Sequence, residues 1–401
     1  MIELELKAAK GIRNDVISLL RQKPAGFTSA TAFQSGRLGA LLESNALSNS
    51  VSVGLSATKG EMFCIELRVY QKPALELAKN LAKAIDSQIE VNEVDDSPVV
   101  IRRAQRGKMF LTDLKLNRFP EELRPLRKHK RPLFIGQGIG NLTTGGLGAV
   151  SVGGFVTLDN KLGALSVSHG LIGLGKKTGK IGNKVAQPHP QDTSFSELGH
   201  VFGELLFASS LQPEQDAHCD AAIVEVENPE QVLGNVIPSR KFDDHVANCL
   251  SKTGMPDGYF DMPISDSEDE DFLSRGNVEA GRVFKIGAGS GWSAGEFVGQ
   301  GLLTTLYDQG VPYRFTGLVE VRGESEEKMF SCAGDSGALA FYQREKQLFA
   351  LGLVIGQQSI LTINRKTGKD GASAIYSLVC PLNSIKEHLA ANGHISNWHD
   401  N

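Results

Sequence analysis

The stretch Ser331-Cys-Ala-Gly334-Asp335-Ser336-Gly337 sets an Asp-Ser pair between glycines and runs straight into the apolar residues Ala338, Leu339 and Ala340. A serine hydroxyl is a poor nucleophile at neutral pH, so chemistry at Ser336 needs a general base within hydrogen-bond reach and donors for the oxyanion it generates. Gly334 suits the second requirement, because its unhindered N–H can point with that of Ser336 into one pocket. The same short motif also fits a plain turn that uses Gly and Asp for positive φ angles. For the base, His169 stands out among nine histidines: it closes the run Leu162-Gly-Ala-Leu-Ser-Val-Ser-His169 and is followed by Gly170. A histidine in such a place is more often a packed loop residue. A carboxylate must then orient the imidazole. Asp220 opens the apolar run Ala221-Ala-Ile-Val-Glu-Val226, while Asp216 lies further from that run and Glu225 sits within its alternation.

The elements that must position these residues differ between the two parts of the chain. Of 44 glycines, 7 fall in residues 1–125 and the remainder beyond, which marks the second part as turn-rich and built from strands. Short apolar runs punctuated by glycine recur there at 146–152, 154–158, 162–167, 221–226, 283–286, 315–321, 337–342 and 348–355, a spacing that predicts a sandwich or barrel. The first part predicts α+β: a helix around Ile12 to Leu20, strands at 50–55 and 61–70, a helix from Leu75 to Ile85 entered through Pro73, and a strand at 88–94. The charged, proline-interrupted stretch from Glu121 to Pro132 reads as a linker, which sets a boundary near residue 132. Residues 238–282, rich in Pro, Asp and Ser and carrying an acidic run at 266–271, read as a long surface connection, and 383–391 as a short terminal helix.

Charge divides with the glycines. Up to Arg131 there are 22 basic and 15 acidic residues, against a net charge of −4 for all 401 residues, so two domains of opposite sign are expected. The overall balance offers no basic footprint for nucleic acid. Five cysteines without a C-x-x-C pair argue against both a disulfide framework and a structural zinc site. The first residues carry acids where a secretion signal wants bases, and no 18-residue apolar stretch occurs, so a soluble cytoplasmic protein with no membrane partner is expected.

The order His169, Asp220, Ser336, combined with Gly-Asp-Ser-Gly, resembles the trypsin/chymotrypsin-like serine peptidases over about residues 134–391. A narrower resemblance is to the cytoplasmic, disulfide-free members, which include the plant Narrow Leaf 1-like peptidases. It rests on a segment like Ile139-Gly-Asn-Leu-Thr-Thr-Gly-Gly-Leu-Gly-Ala149 ahead of the His strand and on Val283-Phe-Lys-Ile-Gly-Ala-Gly-Ser-Gly-Trp-Ser-Ala-Gly295. The resemblance implies an all-β double barrel of two antiparallel six-stranded barrels, preceded by a small α+β domain. The domains would be 1–132, with a regulatory or substrate-recruiting role and a possible regulatory partner, and 133–401, with a first barrel at 134–237, a connection at 238–282 and a second barrel at 283–391.

Carried over residue by residue, His169 is the base, Asp220 its partner, Ser336 the nucleophile, and the N–H groups of Gly334 and Ser336 the oxyanion hole. Phe330, six residues before the nucleophile, lies at the base of the primary pocket, where no Asp stands to pair with a substrate Lys or Arg. A small or apolar P1 side chain is expected. Ile355 and Gly356 match the strand that pairs with substrate. Secreted relatives are activated when a new N-terminal ammonium pairs with the residue corresponding to Asp335; no such cleavage site is evident, so a buried Asp335 must find a donor elsewhere, in a backbone N–H or a side chain of the second barrel.

The function expected is an intracellular serine endopeptidase acting on protein or peptide through an acyl-enzyme, with no cofactor. Two alternatives stay open: an inactive barrel used as an interaction scaffold, and an esterase on the same triad. Other signals carry less. Gly170-Leu-Ile-Gly-Leu-Gly175-Lys176-Lys177 approaches a phosphate loop but has Lys where the Ser or Thr belongs. Cys332 and Cys380 read as buried thiols, the acidic run as a solvated loop, and the basic cluster from Arg124 to Arg131 as either a solvated linker or a docking element.

Overall fold

The structure is a computed structural model and describes residues 4–21, 51–57, 62–89, 97–105, 107–109, 125–144, 149–174, 179–192, 200–213, 215–267, 282–308, 311–325, 328–363 and 370–399. Among these residues it is mostly β, with two sheets and few helices. No described helix is long and apolar enough to cross a membrane.

The smaller sheet carries residues 138–226 and receives the strand Ser396–Trp398 at one edge. Its antiparallel order runs from Gly154–Leu158 through Lys161–Ser166, Ala222–Val226, Val201–Ala208 and Lys184–Ala186 to Gly138–Asn141 and Val150–Ser151. The last of these and the first are consecutive in the chain, separated only by Val152 and Gly153, so the sheet curls back on itself. Gly153 sits at this closure because a Cβ there would lie 2.4 Å from the Gly337 carbonyl oxygen; only a glycine lets the backbone approach the segment after Ser336 this closely.

In the larger sheet, Arg282–Gly287, Gly291–Asp308, Val311–Gly323, Asp370–Pro381, Gln347–Ile363 and Leu339–Arg344 pair antiparallel in a closed ring. Side chains alternate across it, as the pleat requires. Phe284, Ile286, Leu339, Phe341, Leu353 and Ile355 join one core with the smaller sheet, whereas Val283, Ala338, Ala340 and Tyr342 join a second.

That second core is shared with the first hundred residues. The helices Leu6–Arg21 and Ala74–Gln88 lay Val16, Ile17, Leu77 and Leu81 over the strands Val51–Ala57, Met62–Val69 and Val99–Ala104, and the same cluster takes in Phe297, Val321 and Phe330. These strands continue the larger sheet: Leu55 and Ser56 pair with Gln300 and Gly299, and Arg102 to Ala104 with Thr362 to Ile360. At the seam the buried Arg68 pairs with Glu66 at 2.6 Å and with Glu320, and donates to Gln358 at 2.9 Å. Burial works to raise the Glu66 pKa, but Arg68 and Arg102 hold it below the usual value; at Glu320 burial prevails, and that carboxyl is pushed up.

Several expectations are corrected. The helix read from Leu75 to Ile85 extends to Gln88, so 88–94 does not begin as a strand; residues 90–96 lie outside the described residues, and the next strand is Val99–Ala104. That strand runs parallel to Met62–Val69, and a parallel pair requires a crossover, which the helix supplies. The connection 238–282 is not a bare surface loop. It carries the helix Asp244–Lys252, capped by the Asp243 carboxylate, whose Val246, Ala247, Cys249 and Leu250 are buried. The basic segment docks: buried Arg127 pairs with Asp192 at 2.6 Å, Lys130 pairs with Asp243, and His129 stacks on His200 at 4.3 Å. Arg124, residues 175–178 at the end of the phosphate-loop-like run and the acidic 268–271 lie outside the described residues.

Candidate active site

The strand Lys161–Ser166 ends against a single helical turn, Ser168–Leu171, and this turn holds His169 in the seam between the two sheets. Asp220 stands just before Ala222–Val226, the strand paired with Lys161–Ser166, so strand register brings the two together. The Asp220 carboxylate accepts the backbone N–H of His169 at 3.0 Å and meets Nδ1 of the ring with its other oxygen. On the far side of the imidazole, Nε2 lies 3.0 Å from Ser336 Oγ. His169, Asp220 and Ser336 are all 0% exposed. Of the other carboxylates weighed for the role of Asp220, Asp216 is engaged by Arg314 and Glu225 by Lys161 at the surface.

The turn that carries Ser336 is bent by Gly334 at φ 95° and Gly337 at φ 84°, both in the region that favours glycine. Gly337 donates its N–H to the Val354 carbonyl at 2.8 Å, and Val354 donates to the Ala338 carbonyl at 3.0 Å, which fastens the turn to the strand holding Ile355 and Gly356. Ile355 is buried in the core shared with the smaller sheet, and Phe330 in the core shared with the N-terminal helices.

Asp335 is fully buried and finds its donors on and beside the strands of the larger sheet. One oxygen accepts from the N–H groups of Gly289 at 2.9 Å and Ser290 at 3.1 Å; the other accepts from Ser290 Oγ at 2.7 Å and the N–H of Cys332 at 2.9 Å. Lys285, also fully buried, places Nζ 3.1 Å from the second oxygen and donates to Ser290 Oγ at 2.7 Å. The requirement for an internal donor is met by a cation that sequence reasoning did not single out. Within the strand Arg282–Gly287, Lys285 occupies the parity of Val283, between two inward-facing apolar residues.

Ser151 was also not singled out. From the smaller sheet it donates its N–H to the Ser336 carbonyl at 2.7 Å and its hydroxyl to the Gly334 carbonyl at 2.8 Å, and accepts the Ala288 N–H at 2.9 Å. One residue thus ties both sides of the Ser336 turn to the sheet that holds His169. Asp308, at the end of the strand Gly291–Asp308, is a third. Its carboxyl is nearly buried, burial raises its pKa, and the nearby His169 opposes that rise. Burial likewise pushes the thiol of Cys332 far up, with Asp335 adding to it, which disfavours the thiolate beside the turn. All five cysteines are free thiols. Among the described residues no group of three or more His, Cys, Asp or Glu is placed to hold a metal ion.

No family model and no curated protein matches the chain. Among solved structures the chain is similar to Thermobifida fusca Protease A, at 15% identity and a TM-score of 0.37, over 66% of this chain and 98% of that one. It is also similar to the MamO protease domain from Magnetospirillum magneticum, at 11% identity and a TM-score of 0.27, over 63% and 94% of the two chains. A third is the Murine Norovirus NS6 protease, at 10% identity and a TM-score of 0.25, over 59% and 88%.

Proposed function

We propose that the chain is a serine endopeptidase of trypsin-like double-barrel architecture, with residues 1–132 as a regulatory or substrate-recruiting unit and a cytoplasmic site of action. The observation that carries this reading is the single imidazole bridging Asp220 and Ser336, with Nε2 3.0 Å from the hydroxyl it would deprotonate. In the reaction, Ser336 Oγ adds to the peptide carbonyl while its proton moves to His169 Nε2. The imidazolium so formed is stabilised by Asp220, which also fixes the ring through Nδ1. As the C–N bond breaks, Nε2 returns the proton to the leaving amine. Water then repeats the sequence on the acyl-enzyme, giving up a proton to His169 and releasing Ser336.

The N–H groups of Gly334 and Ser336 would receive the oxyanion, on a turn already fixed by Asp335 and Ser151. Phe330 lies in the core with the N-terminal helices rather than presenting itself to a substrate, but no Asp stands at that position to pair with a Lys or Arg, so a small or apolar P1 side chain remains the reading, and the edge at Ile355 and Gly356 would pair with the substrate backbone. The reading is tested by labelling with a serine-reactive fluorophosphonate and by cleavage of a denatured protein. Wild type should label and cleave; Ser336→Ala should do neither, and His169→Ala should lose several orders of magnitude while keeping its fold. Full labelling of folded His169→Ala would remove His169 from the mechanism. Ester turnover without any protein cleavage would favour the esterase alternative. Absence of labelling in every form would favour a scaffold.

A further inference from the structure

A peptide that is to acylate Ser336 must lie extended beside it, and an unpaired strand edge is the general device for holding such a peptide. The strand Gln347–Ile363 offers that edge. Leu339–Arg344 pairs along it only as far as Leu353, and the Val354 carbonyl then takes the N–H of Gly337, next to the nucleophile. From Gly356 onward the same edge is free of that strand. It is nevertheless filled, by the chain's own residues.

Arg102 to Ala104 pair antiparallel with Thr362 to Ile360, Gln105 donates its N–H to the Ser359 carbonyl at 2.9 Å, and Lys108 and Met109 pair with Gln357 and Gly356. The segment therefore runs down the edge towards Ser336 with its C-terminal end foremost, the direction in which the acyl half of a substrate would approach. Its other edge is taken as well: Gly107 and Lys108 pair parallel with Leu306 and Tyr307 of the strand Gly291–Asp308, whose last residue lies near His169. Gly107 fits because a Cβ would lie 2.5 Å from Leu306 Cδ2 and 3.4 Å from the Gln357 carbonyl. Full burial of Ser336 and His169 is the second, independent sign of a closed state.

We propose that the slot between Leu306–Tyr307 and Gly356–Gln357 is a site for one extended peptide strand, and that Gly107–Met109 occupies it as an intrachain ligand which a substrate must displace. The proposal rests on the peptidase reading for its regulatory meaning, but slot occupancy can be measured without turnover. The probe is a fluorescein-labelled peptide with the sequence of residues 104–110, bound to full-length protein carrying Ser336→Ala. Gly107→Val and, separately, Lys108→Pro remove the fit or one strand hydrogen bond of the resident segment. Each should tighten peptide binding about tenfold or more, because the competent open form is no longer a minor fraction. In protein with the native residues 107–109, saturating peptide should speed hydrogen exchange at the amides of Lys108 and Met109, a measurement that stands even if both variants misfold.

In the Ser336 background, fluorophosphonate labelling should rise in parallel with peptide binding. Equal binding by parent and folded variants, or exchange at 108 and 109 unmoved by peptide, overturns the proposal. Labelling already fast in wild type and unchanged by the substitutions overturns it too, while leaving the triad in place. Tighter binding with no labelling of any form supports the slot and its resident strand, and sinks the peptidase reading alone.

Discussion

Replacing Lys285 by Met tests whether the site is held ready by the buried Lys285–Asp335 pair. The side chain keeps its length and apolar volume, so the change removes the charge. Asp335 would keep two donors on one oxygen, from Gly289 and Ser290, and two on the other, from Ser290 Oγ and Cys332. Asp335 therefore keeps these four hydrogen bonds and loses its neutralising cation, while Ser290 Oγ loses the hydrogen bond it accepts from Lys285 Nζ. Breaking a buried pair by removing one partner costs about 3–5 kcal/mol, and the four surviving donors, each a charge-assisted bond, argue for the lower half of that range, about 3 kcal/mol. Asp335→Asn strands the ammonium instead. The double variant buries no unpaired charge, so it should be more stable than either single variant, with a coupling of at least about 2 kcal/mol in the double-mutant cycle. Denaturant unfolding of the four proteins supplies the cycle, and the fluorophosphonate labelling rate reads the turn: both single variants should label more slowly than wild type. A Lys285→Met protein that unfolds within about 0.5 kcal/mol of wild type and labels at the same rate would refute the reasoning.

Three further outcomes follow from the same geometry. Burial holds the Asp308 pKa above its usual 3.8, so the folded chain binds this proton more tightly than the unfolded one, and the residue's contribution to stability is lost as pH rises from about that value through the folded-state pKa. Asp308→Asn should therefore gain on wild type across that window in pH-dependent unfolding. Arg68→Met leaves Glu66 and Glu320 buried without their shared cation and should cost about 3–5 kcal/mol, with hydrogen exchange rising first in Val51–Ala57 and Met62–Val69. Gly153→Ala drives a Cβ against the Gly337 carbonyl and should slow labelling out of proportion to its effect on unfolding.

What could be read from the sequence and what could not divide along one physical line. Ser336, His169 and Asp220 stand at the ends of apolar runs whose lengths and glycine boundaries are local properties, so residue types near one another in the chain mark them. The helices entered at Pro73 and near Leu382 were legible for the same reason. Lys285 was not, because a lysine in a strand ordinarily points to solvent, and its partner lies fifty residues further on. Asp308 and Ser151 acquire meaning only through pairings across the two sheets. The helix Asp244–Lys252 was hidden by a composition of Asp, Ser and Pro that suits turns, although Val246, Ala247, Cys249 and Leu250 already had helical spacing. The segment Gly107–Met109 is the extreme case: three residues with no apolar alternation become a strand only because two edges, at 306–307 and 356–357, leave a gap of one strand's width between them. Such a strand is placed by the pairing of its backbone with those two edges. A second peptide of suitable backbone can therefore replace it, and the least legible element of the sequence is the one most open to exchange with a partner.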